Sequence, residues 1–226
     1  MIDLNDIIYK IAYMVPGFLL AIVAHEFAHA YIAYRFGDDT AQRSGRMTLN
    51  PAAHYDLLGT VIFPLIGVMA GFAAIGWAKP VPIDSRNFKK NHKSAIFWVS
   101  FAGPLSNLII GMVSSFLFAV VVTQVSPEFG FKNELMMMLR YSILINFILA
   151  AFNLIPLPPL DGSRMVSSML SYNAQQKYDS FAQYTPMIFF GTMVLSFMGI
   201  PTFHYLMLPV TEMGEWVTQI FILMFN

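Results

Sequence analysis

The segment of this 226-residue chain best equipped for chemistry is His25-Glu26-Phe27-Ala28-His29. On a helix, positions i and i+4 lie only about 40° apart around the axis, so both imidazoles face one side and can share one Zn²⁺. Glu26 then projects beside the ion, where its carboxylate can accept a proton from a coordinated water whose pKa has fallen to about 7. The surroundings sharpen this reading. These three ionisable groups sit on an otherwise apolar stretch from Gly17 to Tyr34, and ionisable groups at membrane depth are costly unless they serve a site.

A catalytic zinc needs a third protein ligand and an open position. The chain has no cysteine, which excludes thiolate sites and disulfides and leaves imidazole and carboxylate as ligands. Among the other histidines, His54 falls in a loop, His92 in a basic segment and His204 at the start of the last apolar stretch. Asp161 is the better candidate. It closes the run Asn153-Leu154-Ile155-Pro156-Leu157-Pro158-Pro159-Leu160-Asp161-Gly162, whose three prolines break a helix at the end of an apolar span. The competing reading makes Asp161 an interfacial cap on a helix that begins near Gly162.

Composition indicates what must hold these residues. Apolar residues make up 57% of the chain and charged ones 12%, with a mean hydropathy of +0.59, so lipid is the expected solvent. The net charge is zero, which offers no basic stripe for nucleic acid. Apolar windows of bilayer-spanning length occur at roughly 7–36, 57–76, 94–124 and 135–155, and 185–224 is long enough for two, broken at Gly199 and Pro201. With no repeat and no long polar insert, the expectation is one intramembrane domain over 1–226. Its core is about 7–172 and its C-terminal helices about 185–224.

The first span lacks a basic flank typical of a signal peptide and runs into the chemical residues, so it is read as retained. Pro16-Gly17 is expected to kink or restart its helix, and Gly37 to end it. Arg35, Arg43 and Arg46 follow that helix, which places its C-terminal end in the cytoplasm and the N-terminus outside. The loop at 77–93 is basic too. The segment 57–76 between the two basic loops, carrying Pro64, Gly67 and Gly71, is therefore expected to be re-entrant. Gly45–Asn50 and Trp77–Ile83 read as extended stretches that could pair as a small sheet. The fold class is thus all-α polytopic membrane protein, with about five to six membrane-embedded segments and a small re-entrant/β-hairpin element.

Three motifs, taken in order, carry a resemblance: His25-Glu26-x-x-His29, Gly103-Pro104-Leu105-Ser106-Asn107, and Asn153-x-x-Pro156-x-Pro158-x-x-Asp161-Gly162. Together they resemble the site-2 protease family of intramembrane zinc metalloproteases, in a compact form without PDZ or CBS domains. The resemblance implies zinc, one per chain, on His25, His29 and Asp161, with Glu26 as general base. It implies that Asn153 bonds the substrate backbone or the oxyanion, and that Gly103 and Asn107 let helices pack closely and fix the core. The substrate would be a transmembrane protein cut within the bilayer, and the location the plasma membrane of a prokaryote, with the site near the cytoplasmic face.

Residues 46–56 and 76–82 resemble loops of one subgroup of that family. His54 and Asp56 read either as a loop hydrogen-bond network or as a second metal site, the first being the commoner use of polar loop residues. The extended stretches could offer a strand edge to an unwound substrate. Two alternatives of other classes stand beside hydrolysis: a metal-binding membrane transporter and a non-catalytic helix-binding pseudoprotease. A glutamate beside the first histidine is what hydrolysis requires and mere binding does not.

Overall fold

The computed structural model describes residues 4–69, 76–89, 91–200 and 202–225. The expectations resting on Gly71, Pro201 and the side chain of His204 lie outside the described residues. In chain order the helices are α1 (Leu4–Phe36), α2 (Thr40–Arg43), α3 (Phe63–Met69), α4 (His92–Gln124), α5 (Lys132–Leu154), α6 (Asp161–Met169), α7 (Tyr172–Asp179), α8 (Thr185–Phe197) and α9 (Thr202–Phe225). A π-helical turn, Leu57–Ile62, leads into α3.

Three helices, α1, α4 and α5, are long and apolar enough to cross a bilayer. They coincide with three of the expected spans. Their packing inverts the pattern of a water-soluble core. Small and polar residues turn inward: Ala21, Ala30, Ala33, Ala119, Ala150, Asn107, Ser115 and Asn146 are buried. Large apolar side chains such as Leu20, Ile109, Val113, Phe116 and Leu117 face outward. In lipid, helices gain nothing by hiding leucine from leucine-like tails, so close backbone approach and interhelical hydrogen bonds hold them together. Gly17 serves that approach, since a Cβ there would lie 2.8 Å from Ser142 Cα on α5. The α1 helix passes through Pro16 without restarting, so of the two expected effects of Pro16-Gly17 the restart does not occur. One missing N–H leaves a helix intact when its neighbours hold it on both sides.

Helix α9 lies against α4 and α5, where Thr218 Oγ1 donates to Ser115 Oγ at 3.1 Å. The break between α8 and α9 falls where the sequence placed it, with Gly199 at a positive φ of 87°.

The two extended stretches form no strand among the described residues, so the small sheet is corrected. Pro80 and Pro82 have no N–H to give to a ladder. Three of the remaining donors of this strap go elsewhere: Trp77 N–H to Gly59 O at 3.0 Å, Lys79 N–H to His54 O at 3.0 Å and Val81 N–H to Glu26 Oε2 at 2.7 Å. Arg46 also braces the strap, donating to Lys79 O at 2.6 Å.

Asp38 fastens the far end of the strap to the end of α1. Only 1% exposed, its carboxylate accepts from Asp84 N–H at 2.8 Å, Asn87 Nδ2 at 2.9 Å, and the N–H and hydroxyl of Thr40. Burial opposes its ionisation, but the bonds from Asn87, Thr40 and the Asp84 amide outweigh burial and hold its pKa below the ordinary 3.8. A depressed carboxylate stabilises fully above the unfolded pKa, and that stabilisation disappears as pH falls through the folded one. The protection factor of the Asp84 amide, its exchange rate relative to an unstructured amide at the same pH, should therefore be high near neutral pH and fall only as pH drops below about 4. Asp38→Ala should remove that protection at every pH and cost on the order of 2 kcal/mol in stability, because the donors lose their acceptor.

Candidate active site

Every third or fourth residue of α1 returns to the same face, and that face carries His25 and His29. Both are buried and their rings meet edge to face, with centroids 4.6 Å apart. Opposite them α4 presents a row spaced by four: Val99, Gly103 and Asn107. Asn107 Oδ1 meets His25 Nδ1 at 2.7 Å, and the Val99 carbonyl meets His29 Nδ1 at 2.6 Å. Gly103, between them, has no side chain to interpose. A Cβ at that position would stand 2.4 Å from His29 Nε2 and 2.6 Å from His25 Nε2. The sequence assigned Gly103 to helix packing; the structure adds that it leaves room for the two imidazoles.

The third member arrives from α6. Gly162 lets the start of α6 press on the end of α5, because a Cβ there would meet Leu154 O at 2.2 Å. The proline-rich connection is held in turn by Tyr178 of α7, whose hydroxyl donates to Pro156 O at 2.6 Å. Asp161 Oδ2 consequently lies 3.1 Å from His25 Nε2 and 3.2 Å from His29 Nε2, while the two Nε2 atoms are 3.0 Å apart. The cap of α6 is Leu160, so the side chain of Asp161 serves the histidines and not the helix terminus.

The hydrogen positions follow from the partners. Val99 O can only accept, so His29 carries its proton on Nδ1, and Asn107 Oδ1 imposes the same on His25. In the neutral imidazoles both Nε2 atoms are then lone pairs aimed at each other and at a carboxylate oxygen. Asp161 Oδ2 is buried and has no other donor. Three such acceptors around one point, each about 3 Å from the others, suit a cation. At zinc–ligand distances of 2.0–2.1 Å, ligands of a tetrahedral site stand about 3.3 Å apart. The observed 3.0–3.2 Å fits such an ion with a slight opening of the triangle. These three residues are the group of His, Asp and Glu side chains among the described residues whose donor atoms converge in this way.

A model of peptidase family M50 matches residues 13–196. The chain belongs to that family. The resemblance to site-2 proteases read from the three motifs agrees with this match. Among similar proteins, “Putative zinc metalloprotease YwhC” of Bacillus subtilis (strain 168) is 37% identical over 205 residues, covering 90% of this chain and 87% of its own length. “Putative zinc metalloprotease Rip2” of Mycolicibacterium smegmatis is 28% identical over 164 residues, 72% of this chain and 59% of its own. The Rip2 of Mycobacterium tuberculosis H37Rv is 28% identical over 149 residues, 66% and 54% respectively. No solved structure matches the chain. Family membership and the three apolar helices make this M50 peptidase a membrane protein.

The other residues singled out by sequence are placed as follows. Glu26 is tied through Oε2 to Val81 N–H on the strap. Asn153 Nδ2 donates to Leu149 O of its own helix at 3.0 Å. His54 is buried at 1% exposure, and its Nε2 donates to Thr48 O at 2.8 Å, so it works within the loop network. Asp56 caps the π-helical turn by accepting from Gly59 N–H at 2.7 Å. Sequence reasoning missed Val99, which acts through its backbone and leaves no mark in side-chain chemistry. It also missed Val81, for the same reason, and Asn146, which as an asparagine within an apolar span did carry a signal.

Gly103→Ala puts a methyl group inside van der Waals contact of both Nε2 atoms. The purified variant should keep its helical circular dichroism yet lose most of the divalent metal retained by wild type, as read by elemental analysis. Retention of a full equivalent would show that the imidazoles do not meet the metal where α4 comes closest.

Proposed function

We propose that this M50 peptidase is an intramembrane zinc metalloprotease, a single domain over 1–226, that hydrolyses peptide bonds in transmembrane segments of membrane proteins. The observation that carries the reading is the convergence of His25 Nε2, His29 Nε2 and Asp161 Oδ2 with both imidazoles tautomerically fixed. The printed names of the relatives support zinc as the metal. Held by His25, His29 and Asp161, zinc would supply Lewis acidity and lower the pKa of a bound water to about 7. Glu26, one residue from His25 and anchored by Val81 N–H, takes the proton of the attacking water and later returns it to the leaving amine. Asn153 Nδ2 has a second hydrogen beyond the one given to Leu149 O, and that hydrogen is available to a substrate carbonyl as negative charge builds on it. Asn107 and Gly103 position the ligands, and His54 shapes the loop beneath the strap.

Burial in the helix bundle keeps bulk water from the site, and His29 lies seven residues before the end of α1, about 10 Å along the axis. The peptide bond must therefore reach the site within the membrane. A helical substrate hides its carbonyls, so helix-weakening residues near the cleavage site should speed cutting.

The basic loops favour a cytoplasmic location for the C-terminal end of α1, in the plasma membrane of a prokaryote. Support for the re-entrant reading of 57–76 comes from Gly59 and Trp77: the chain leaves at one and returns at the other, joined by the Trp77 N–H bond to Gly59 O. Asp38 likewise ties 84–87 to the end of α1. Cysteines introduced singly at Ser44 and Ser85, in a chain without native thiols, should both react with a membrane-impermeant reagent from the same side of sealed vesicles. Labelling from opposite sides would require a full crossing between them.

Glu26→Gln is nearly isosteric but cannot accept the proton at neutral pH. It should retain about one zinc per chain and lose cleavage of a transmembrane substrate by about a thousandfold or more, in line with loss of general base catalysis. His25→Ala, His29→Ala and Asp161→Ala should lose both metal and cleavage. A Glu26→Gln protein cutting at the wild-type rate, with contaminating protease excluded, would return the site to metal transport or simple binding.

A further inference from the structure

The hydrogen bond from His25 does not end at Asn107. Asn107 is fully buried, and its Nδ2 donates to Ala21 O of α1 at 3.0 Å and to Asn146 Oδ1 of α5 at 3.0 Å. Asn146, also fully buried, donates through its own Nδ2 to Ser142 O at 2.8 Å. Ala21 O and Ser142 O are carbonyls and can only accept. Each therefore dictates which end of its asparagine faces it: nitrogen toward the carbonyl, oxygen away. The outcome is a one-way chain, His25 Nδ1–H to Asn107 Oδ1, then Asn107 Nδ2–H to Asn146 Oδ1, then Asn146 Nδ2–H to Ser142 O.

We infer that Asn146, which hydrogen-bonds to none of the three proposed metal ligands, is a positioning residue of the metal site: together with Ala21 O it holds the Asn107 amide in the one orientation that keeps the His25 proton on Nδ1 and its Nε2 lone pair free for the metal. The inference rests on the proposed metal-site reading and deepens it. Without Asn146, one Asn107 N–H is left in the bundle interior with no acceptor. With Ala21 O alone left to orient it, the Asn107 amide is held less firmly, and the imidazole can adopt the other tautomer, whose Nε2–H cannot ligate. A neighbouring bond separates this role from packing. Ser142 Oγ pairs with Ser114 Oγ at 2.8 Å and lies 3.4 Å from Asn146 Nδ2. Removing that hydroxyl disturbs the same α4–α5 contact without altering the Asn146–Ser142 O bond that orients the amide.

The test uses the full-length protein in lipid nanodiscs, with zinc affinity measured by competition against a fluorescent chelator. In parallel, ¹⁵N-histidine NMR of the metal-free protein reads the His25 tautomer, assigned by the signal lost in His25→Ala. Asn146→Leu preserves bulk and removes the acceptor. Asn146→Ser withdraws it from Asn107, since the hydroxyl oxygen sits one bond nearer the backbone, but can bond Ser142 O in the same way, so it folds even if the leucine variant does not. Both should weaken zinc binding by about tenfold or more and show His25 with a mixture of Nδ1–H and Nε2–H, while Ser142→Ala stays within about twofold of wild type. Wild-type affinity together with a pure Nδ1–H tautomer in Asn146→Ser would overturn the proposal, and so would an equal loss of affinity in Ser142→Ala. If His25→Ala itself binds zinc as tightly as wild type, the metal-site reading fails. The tautomer comparison in the metal-free protein still decides whether Asn146 holds the imidazole.

Discussion

Two imidazole lone pairs and a carboxylate oxygen within about 3 Å of one another repel, and in a water-poor interior that repulsion is large. This arrangement in His25, His29 and Asp161 is the constraint on which the rest of the structure depends. It is sustained from behind, by acceptors on α4 that keep each Nδ1 protonated. It is also sustained from the side, by Gly162 and Tyr178, which bring the start of α6 onto the end of α5. Each support comes from a different helix, so the site forms only when α1, α4, α5 and α6 are all in register.

The same requirement explains the composition of the bundle. A polar site at membrane depth can be carried only if its polar groups find partners inside, since lipid offers none. The small residues that line α1, α4 and α5 let backbones approach closely enough for carbonyls such as Ala21 O and Val99 O to serve as acceptors across helix interfaces. Large apolar residues are displaced to the outside, where lipid accepts them. The functional polar network and the high mean hydropathy are therefore two sides of one arrangement.

Much of this was legible in the sequence. The spacing of His25 and His29 is a helical spacing, and an apolar helix carrying ionisable groups indicates a site. The three long spans could be read from their apolar length, and the break at Gly199 from a glycine inside a stretch long enough for two spans. Asp161 was legible as a carboxylate emerging from broken helix, although its approach to the histidines depends on Gly162 fitting against Leu154 O, a contact between segments that no local pattern reveals. The expected sheet failed for a readable reason. The prolines at 80 and 82 that marked an extended stretch also removed its ladder donors, and the intervening Val81 N–H went to Glu26. Gly103 was legible as a close-packing glycine, but its neighbours across the interface were not, because which residues of α1 face it is decided by tertiary register.

The strap that anchors Glu26 has a consequence for how the two halves of the chemistry are held. The ligands are fixed by membrane-embedded helices and α6, whereas the carboxylate one residue from His25 is fixed by Val81, in a segment tied down at the end of α1 by Asp38 and braced by Arg46. Helix α1 is common to both, so their relative geometry cannot drift without bending a packed helix. The strap, by contrast, is a non-helical segment, held by a handful of hydrogen bonds and by the packing of Ala78 against Phe18 and Ile22 and of Val81 against Ala30 and Ala41. Segments of that kind open locally at much lower free energy than a helix core. On the proposed reading, in which the three converging atoms hold the metal and Glu26 moves the proton, the metal would thus be held by the more stable structure and the proton acceptor by the less stable one.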